Sequence, residues 1–125
     1  MSARVLVADD SATMRKIIIR SLKSFGITDV AQAADGDEAC ALFEQGEFDL
    51  VLTDWSMPGK SGLEVLQAIR RTGSTVPVVL VATEGEKSRA MQAIQPGVSD
   101  CLVKPFQAEE LKDKVKKQLS LGASV

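Results

Sequence analysis

Apolar residues follow two different spacings along the chain, and the two spacings alternate. Residues 5–8 form a short, continuous apolar run, which is typical of a strand buried on both faces of a sheet. Apolar residues then recur at helical spacing after Ser11, which can cap a helix, until Gly26 ends it. The same unit then repeats to the end of the chain. The predicted strands are residues 5–8, 28–33, 49–53, 76–82 and 101–103, and the later helices are residues 36–45, 62–71, 87–95 and 108–119.

This alternation predicts an α/β fold in which a single, doubly wound sheet of five parallel strands is covered by five helices. Residues 76–82 form the most apolar run, so we expect that strand at the centre of the sheet or next to it. Pro96 and Gly97 should stop the fourth helix. Because the sequence contains no linker or low-complexity segment, we expect residues 1–125 to form one domain with a frayed tail at 122–125.

Composition narrows the class of protein. The 125 residues are 45% hydrophobic, which is enough for one core. The longest apolar runs hold about half a dozen residues, against the ~18 that a membrane span needs. The first residues lack a signal-peptide pattern. We therefore expect a cytoplasmic protein without a membrane segment, in which Cys40 and Cys101 are free thiols.

The charged and polar residues exclude several kinds of chemistry. The chain contains no histidine, which rules out histidine-based triads and histidine-ligated zinc sites. Its net charge of −2 gives no sign of the basic surface that binds nucleic acid. Any chemistry must therefore come from carboxylates, hydroxyls, lysines and a bound cation.

Polar residues with useful chemistry stand at the carboxyl ends of the predicted strands, where ligands bind in open α/β sheets. Asp9 and Asp10 follow the first strand, Asp54 the third, Thr83 the fourth and Lys104 the fifth. Each has an ordinary alternative as a helix cap, a turn residue, a strand-end hydroxyl or a solvated lysine. Together, the clustered carboxylates would repel one another unless a positive charge lay among them. The lysine and a hard cation such as Mg2+ meet that need.

That set of groups is suited to phosphoryl transfer. A metal ion and an ammonium group neutralise charge on the phosphoryl oxygens while a carboxylate attacks in line. Asp54 is the best candidate for the nucleophile, because it is a single acid rather than one of an adjacent pair and because it opens the longest loop. Asp9 and Asp10 are better placed as a pair that holds the metal.

The same residues, in their order along the chain, resemble the receiver domains of two-component response regulators. The resemblance covers essentially the whole chain and rests on the acidic pair at 9–10, segment 54–59, the threonine after the fourth strand and segment 104–106. Within the family, the chain is most similar to the stand-alone chemotaxis type, with which it shares its length, the opening at 9–15 and Trp55 after the single aspartate. The resemblance implies a monomer with the flavodoxin-like strand order 2-1-3-4-5.

The resemblance also implies a role for each acidic residue. Asp54 would accept a phosphoryl group from the phosphohistidine of a sensor histidine kinase. Asp10, Asp54 and the backbone carbonyl of Ser56 would bind Mg2+ directly. Asp9 would contact the metal through water.

The resemblance further implies how the signal leaves the site. Lys104 and the Thr83 hydroxyl would contact the phosphoryl oxygens, and movement of Thr83 would release a second switch position. That position holds Cys101 where the family usually has an aromatic ring, so we expect intact phosphorylation chemistry and an atypical output. A downstream protein, with the flagellar motor switch as one candidate, would read the fourth helix, fifth strand and fifth helix. Cys101 could instead be a redox sensor, although an unpaired cysteine is more often a small, buried apolar residue.

Other interpretations of the sequence have weaker support. Gly59, Lys60 and Ser61 look like the end of a nucleotide-binding P-loop, but that loop needs a glycine where Asp54 stands, and Pro58 removes an amide. A phosphatase of the haloacid dehalogenase type would carry a second acid two positions after the first, and that acid is missing. A flavodoxin would need a phosphate loop rich in serine, threonine and glycine after the first strand. This chain has Asp9 and Asp10 there, which would repel a phosphate. A receiver-like scaffold with a vestigial site is the remaining alternative.

Overall fold

The computed structural model describes the backbone of residues 3–94 and 99–123 and the side chains of residues 3–89 and 99–120. Within these ranges, strands and helices alternate from the first element to the last, as the sequence predicts. The strands are β1 (Arg4–Ala8), β2 (Asp29–Ala33), β3 (Leu50–Asp54), β4 (Val78–Thr83) and β5 (Asp100–Lys104). The helices are α1 (Ala12–Ser24), α2 (Gly36–Gln45), α3 (Gly62–Arg71), α4 (Glu84–Ile94) and α5 (Ala108–Ala123).

The strands form one parallel sheet in the order β2-β1-β3-β4-β5. This arrangement confirms both the predicted fold class and the strand order. β4 lies beside the central strand β3, as its apolar sequence predicts. β2 lies on one side of β1 and β3 lies on the other. The direction in which strands are added along the chain therefore reverses at β1. In open α/β sheets such a reversal creates a crevice at the carboxyl ends of the strands.

Helices cover both faces of the sheet, which is why the inner strands are apolar on both sides. Val5 and Val7 of β1 share a core with Ile18 of α1 and Val115 of α5. Leu6, which points to the other face, shares a second core with residues of α2 and α3. The edge strand β2 is only partly buried, consistent with its weaker apolar pattern.

Three strands end one residue later than predicted, and in each case the extra residue belongs to the candidate site. β3, β4 and β5 end at Asp54, Thr83 and Lys104. The reason is that strand pairing involves only the backbone and continues through these polar residues. Asp54 pairs with Val81, and Thr83 pairs with Lys104.

Local chemistry explains where other elements start and stop. Ser11 caps α1 by accepting the Met14 N–H at 3.2 Å, as predicted. Gly26 follows α1 with a φ of +99°, a left-handed conformation that favours glycine. β4 begins at Val78 rather than at residue 76, because Pro77 has no N–H to donate to a neighbouring strand.

Two helices differ from their predicted bounds. α4 begins at Glu84 rather than at residue 87, because Thr83 caps it directly. α5 continues to Ala123, past the predicted end and into the expected frayed tail, because Leu119 packs against the core and supports one further turn. The predicted stop at residues 96–97 lies outside the described residues. No helix in the described part of the chain is both long and apolar enough to cross a membrane.

Candidate functional site

The strand order places three carboxylates at one edge of the sheet. β1 and β3 are neighbours, so Asp9, which follows β1, lies beside Asp54 at the end of β3. Asp10 comes next along the chain. Each of the three residues offers a carboxylate oxygen, and these oxygens lie within 4.8 Å of one another. The fold thus brings together the acids that stand apart in the sequence.

Burial differs among the three acids. Asp9 and Asp54 are buried, with 1% and 5% of their surface exposed, whereas Asp10 is exposed. A buried carboxylate is costly unless it is paired or hydrogen-bonded. The two buried acids therefore depend on positive or hydrogen-bonding partners.

Asp9 is held on several sides. Its Oδ1 accepts the Ser11 N–H at 2.9 Å, and its Oδ2 lies 3.5 Å from the Lys104 ammonium group. Its backbone carbonyl accepts a bond of 2.6 Å from Arg15 Nη1. Arg15 Nε donates in turn to Gln32 of β2. These contacts fix the acidic turn between β1 and α1, a role for Arg15 that was not predicted from the sequence.

Lys104 is the cation that joins the two buried acids. Its Nζ lies 3.0 Å from Asp54 Oδ1, in addition to its contact with Asp9. The lysine side chain is only 20% exposed. One ammonium group leaves two of the three acidic charges unbalanced. The cluster of hard oxygen donors therefore fits a divalent cation such as Mg2+.

Burial and neighbouring charges shift the pKa values of Asp54 and Lys104. Burial foremost, and also the charge of Asp9, raise the pKa of Asp54 to about 6, although Lys104 opposes the shift. Burial acts to lower the pKa of Lys104, but its hydrogen bond to Asp54 and the charges of both acids raise that pKa overall. At neutral pH, Asp54 is therefore mainly ionised and Lys104 is protonated. A carboxylate in that state can attack phosphorus, and an ammonium group can neutralise phosphoryl charge.

Thr83 lies at the rim of the same edge, but its hydroxyl is bonded to a helix. Its Oγ accepts the Glu86 N–H at 3.3 Å, and its own N–H donates to Glu86 Oε1 at 2.9 Å. These reciprocal bonds form a capping box at the start of α4. Glu86 is not among the residues predicted from the sequence, although the pattern Thr-x-x-Glu is a known signal for a helix start.

Cys101 is buried in β5, where it pairs with Leu80 of β4. It lies three positions before Lys104 in the sequence, about 10 Å along an extended strand. Cys101 and Cys40 are both unpaired, as predicted, and burial raises the pKa of each thiol. Reactive cysteines need a lowered pKa, so this environment favours a small core residue over a redox sensor.

The loop between β3 and α3 rests against the start of α2. Lys60 Nζ lies 2.6 Å from Asp37 Oδ1, and a Cβ added to Gly36 would meet the Lys60 carbonyl oxygen. Ser61 caps α3, and Ser56 is exposed in the loop. The lysine and the serine of the P-loop-like segment therefore have structural partners, which argues against a nucleotide-binding loop.

Comparisons with known proteins identify the family of this chain. The model of the response regulator receiver domain family matches residues 5–116. The chain is 40% identical over 116 residues to the chemotaxis protein CheY of Pseudomonas aeruginosa, a match that covers 91% of this chain and 94% of that protein. It is 37% identical over 116 residues to the chemotaxis protein CheY-3 of Vibrio cholerae, with 91% and 89% covered.

Solved structures show the same fold. A response regulator receiver domain protein from Clostridium thermocellum superposes with a TM-score of 0.89 at 27% identity, covering 97% of each chain. The chemotaxis response regulator CheY4 of Vibrio cholerae superposes with a TM-score of 0.86 at 31% identity, covering 94% of this chain and 99% of that one. The chain therefore belongs to the response regulator receiver domain family, whose members are signalling domains of two-component systems rather than classical enzymes.

Proposed function

We propose that this receiver domain is a phosphoacceptor switch. Asp54 takes a phosphoryl group from a sensor histidine kinase, and the phosphorylated domain has a changed affinity for a downstream protein. The observation that carries the proposal is the contact of Asp54 with Lys104, beside the acids Asp9 and Asp10. This arrangement combines a nucleophilic carboxylate, a fixed ammonium group and oxygen ligands for Mg2+.

Phosphoryl transfer breaks the P–N bond of the phosphohistidine and forms a P–O bond to a carboxylate oxygen of Asp54. The electron pair of the broken bond stays with the imidazole of the kinase. When bound, Mg2+ supplies positive charge that neutralises the phosphoryl oxygens. The Lys104 ammonium group, 3.0 Å from the attacking carboxylate, neutralises the same oxygens from the protein side. The domain's part in the reaction is therefore to position the Asp54 carboxylate and to neutralise the charge on the phosphoryl oxygens.

We assign the direct metal contacts to Asp10, Asp54 and the backbone carbonyl of Ser56, with Asp9 acting through water. The indirect role of Asp9 is supported by its existing bonds, because a backbone amide and an ammonium group already engage both of its carboxylate oxygens. Asp10 is exposed and free to turn toward an ion. Ser56 follows the acceptor by two positions, in the loop that borders the site.

The signal leaves the site through Thr83 and the surface of α4, β5 and α5. After phosphorylation, Lys104 and the Thr83 hydroxyl contact the phosphoryl oxygens. Cys101, at the second switch position, cannot swing a ring between exposed and buried states. The names of the CheY relatives support a role in chemotaxis, with the flagellar motor switch as the first target to test. The domain acts as a monomer in the cytoplasm.

Phosphate incorporation tests the proposal. Wild-type protein should take up label from a phosphorylated sensor kinase or from acetyl phosphate when Mg2+ is present. The variant Asp54→Asn should take up none, because an amide is not a nucleophile for phosphorus. Asp113→Asn, which removes an exposed carboxylate from α5, is the matched control and should label like the wild type. Label on Asp54→Asn would contradict the proposal.

A further inference from the structure

Glu86 ties the rim of the site to the start of α4. Thr83 N–H donates to Glu86 Oε1 at 2.9 Å, and Glu86 N–H donates to Thr83 Oγ at 3.3 Å. These bonds satisfy two of the backbone amides for which the first turn of a helix provides no partner. Helix α4 therefore begins directly after Thr83, the residue at the rim of the candidate site.

The two bonds of this capping box differ in strength. The bond to the Glu86 carboxylate is charge-assisted and short. The bond to the Thr83 hydroxyl, at 3.3 Å, lies just beyond the usual range of about 2.7–3.2 Å for an N–H···O bond. Both bonds join the same two residues, so loss of the carboxylate bond would weaken the hydroxyl bond as well.

The charge of Glu86 also reaches the acceptor. It contributes to the raised pKa of Asp54, although burial contributes most. Thr83 is paired in the sheet with Lys104, whose ammonium group contacts Asp54. A phosphoryl group would bring about two negative charges and several strong acceptor oxygens to this edge. Its charge repels the Glu86 carboxylate, and its oxygens compete for the Thr83 hydroxyl.

We propose that Glu86 is a positioning residue that holds Thr83 in the cap of α4 while Asp54 is unphosphorylated and releases it when the phosphoryl group arrives. This inference rests on the proposed function of Asp54. Release opens the first turn of α4, so the state of Asp54 reaches the surface of that helix through the backbone. Such a route needs no aromatic ring at the position of Cys101, where this chain has a small, buried thiol.

Amide hydrogen exchange at Thr83 and Glu86 tests the release directly. The probe is Mg2+ with beryllofluoride, which mimics a phosphoryl group on an aspartate. In the wild type, saturating beryllofluoride should speed exchange at both amides by roughly fivefold or more, as expected when a hydrogen bond is lost. Unchanged protection of both amides in the bound protein would overturn the inference.

A pair of charge variants separates the role of Glu86 from simple helix capping. Glu86→Gln keeps the capping box, because glutamine also serves at that position, but removes the charge. It should bind beryllofluoride roughly threefold more tightly or better, with a smaller rise in exchange at Thr83. Glu84→Gln removes one charge from the same turn outside the capping box and should behave like the wild type. An affinity of Glu86→Gln equal to that of the wild type or of Glu84→Gln would overturn the proposal.

Beryllofluoride binding is measured separately from amide exchange, so the proposed function and the role of Glu86 can fail independently. Trp55, next to Asp54, reports beryllofluoride binding through its fluorescence. If the wild type binds no beryllofluoride, the proposed function fails, and the role of Glu86 fails with it. If beryllofluoride binds and the two amides stay protected, the proposed function stands and only the role of Glu86 is wrong.

Discussion

Lys104 Nζ lies 3.0 Å from Asp54 Oδ1 and 3.5 Å from Asp9 Oδ2, so a single ammonium group serves both buried acids. The three residues come from the ends of three different strands, and the parallel sheet brings them together. Under the proposed function, the same ammonium group would also bind the phosphoryl oxygens. The site would then need little rearrangement before phosphoryl transfer.

Removal of Lys104 should separate metal binding from switching. In Lys104→Ala the proposed metal ligands are untouched and the local negative charge is larger, so at a pH well above the pKa of Asp54 Mg2+ should bind at least as tightly as in the wild type. Bound beryllofluoride should speed amide exchange in the first turn of α4 less than in the wild type, because its charge still repels Glu86 but no ammonium group directs its oxygens. Trp55 fluorescence measures the first effect and NMR the second.

The control for that variant is Lys60→Ala, which removes an exposed lysine paired with Asp37 at the neighbouring loop. It should retain both Mg2+ binding and the response of α4. A large loss of Mg2+ affinity in Lys104→Ala would show that the lysine organises the metal site, contrary to its assigned role.

The raised pKa of Asp54 predicts that metal binding depends on pH. Mg2+ needs the ionised carboxylate, and the pKa of Asp54 is about 6, so Mg2+ affinity should fall as the pH drops through about 6. An ordinary aspartate, with a pKa of about 3.9, would keep its affinity to well below pH 5. Titration of Mg2+ against Trp55 fluorescence at a series of pH values distinguishes the two. A constant affinity between about pH 7 and about pH 5 would contradict the assignment.

The same shift predicts that Asp54 lowers the stability of the metal-free domain. Folding raises the pKa of Asp54 from 3.8 to about 6, so the ionised carboxylate disfavours the folded state. This destabilisation is absent at a pH below the pKa of Asp54 in the unfolded chain and complete at a pH above its pKa in the folded domain. Asp54→Asn should therefore unfold with a free energy about 1–2 kcal/mol larger than the wild type at neutral pH, and the difference should vanish near pH 4. Urea unfolding without Mg2+ measures it, and an equal or smaller free energy at neutral pH would refute the prediction.

Two glycine variants test the contact between the β3–α3 loop and α2. A Cβ at Gly36 would meet the Lys60 carbonyl oxygen, whereas a Cβ at Gly85 meets no described heavy atom within 4 Å. Gly36→Ala should lower the free energy of unfolding by about 1–3 kcal/mol, because the loop must move. Gly85→Ala, in the first turn of α4, should raise it by about 0.5–1 kcal/mol through helix propensity and reduced freedom of the unfolded chain. Similar effects in the two variants, measured by urea unfolding, would show that the loop does not rest on α2 as described.

The fold and the acidic cluster were predictable because their signals are local. A buried parallel strand shows as an apolar run, and its end shows as a change to an acidic or basic residue. Asp9, Asp54 and Lys104 each stand at such a change, and parallel strands carry their ends to the same edge. The apolar pattern alone does not set the strand order, which came from the family resemblance.

The partners of polar side chains were not predictable in the same way. The first turn of α4 contains no large apolar residue, so apolar periodicity predicts a start that is too late and gives no sign that Thr83 caps the helix. Its bonds to Glu86 match the pattern Thr-x-x-Glu, a signal of a helix start that apolar periodicity does not contain. The ion pair of Lys60 with Asp37 joins residues 23 positions apart and depends on how α2 and α3 are placed.

Trp55 gives the most direct test of phosphoryl acceptance by Asp54, because it is the chain's single tryptophan and follows Asp54 immediately. Mg2+ and then beryllofluoride would be titrated into the wild type, Asp54→Asn and the control Asp113→Asn while the fluorescence of Trp55 is followed. We expect two successive saturable changes in the wild type and the control, and no response to beryllofluoride in Asp54→Asn. A wild-type protein that responds to neither addition, with the absence of binding verified by calorimetry, would contradict the phosphoacceptor role of Asp54 and favour a phosphate-independent interaction module.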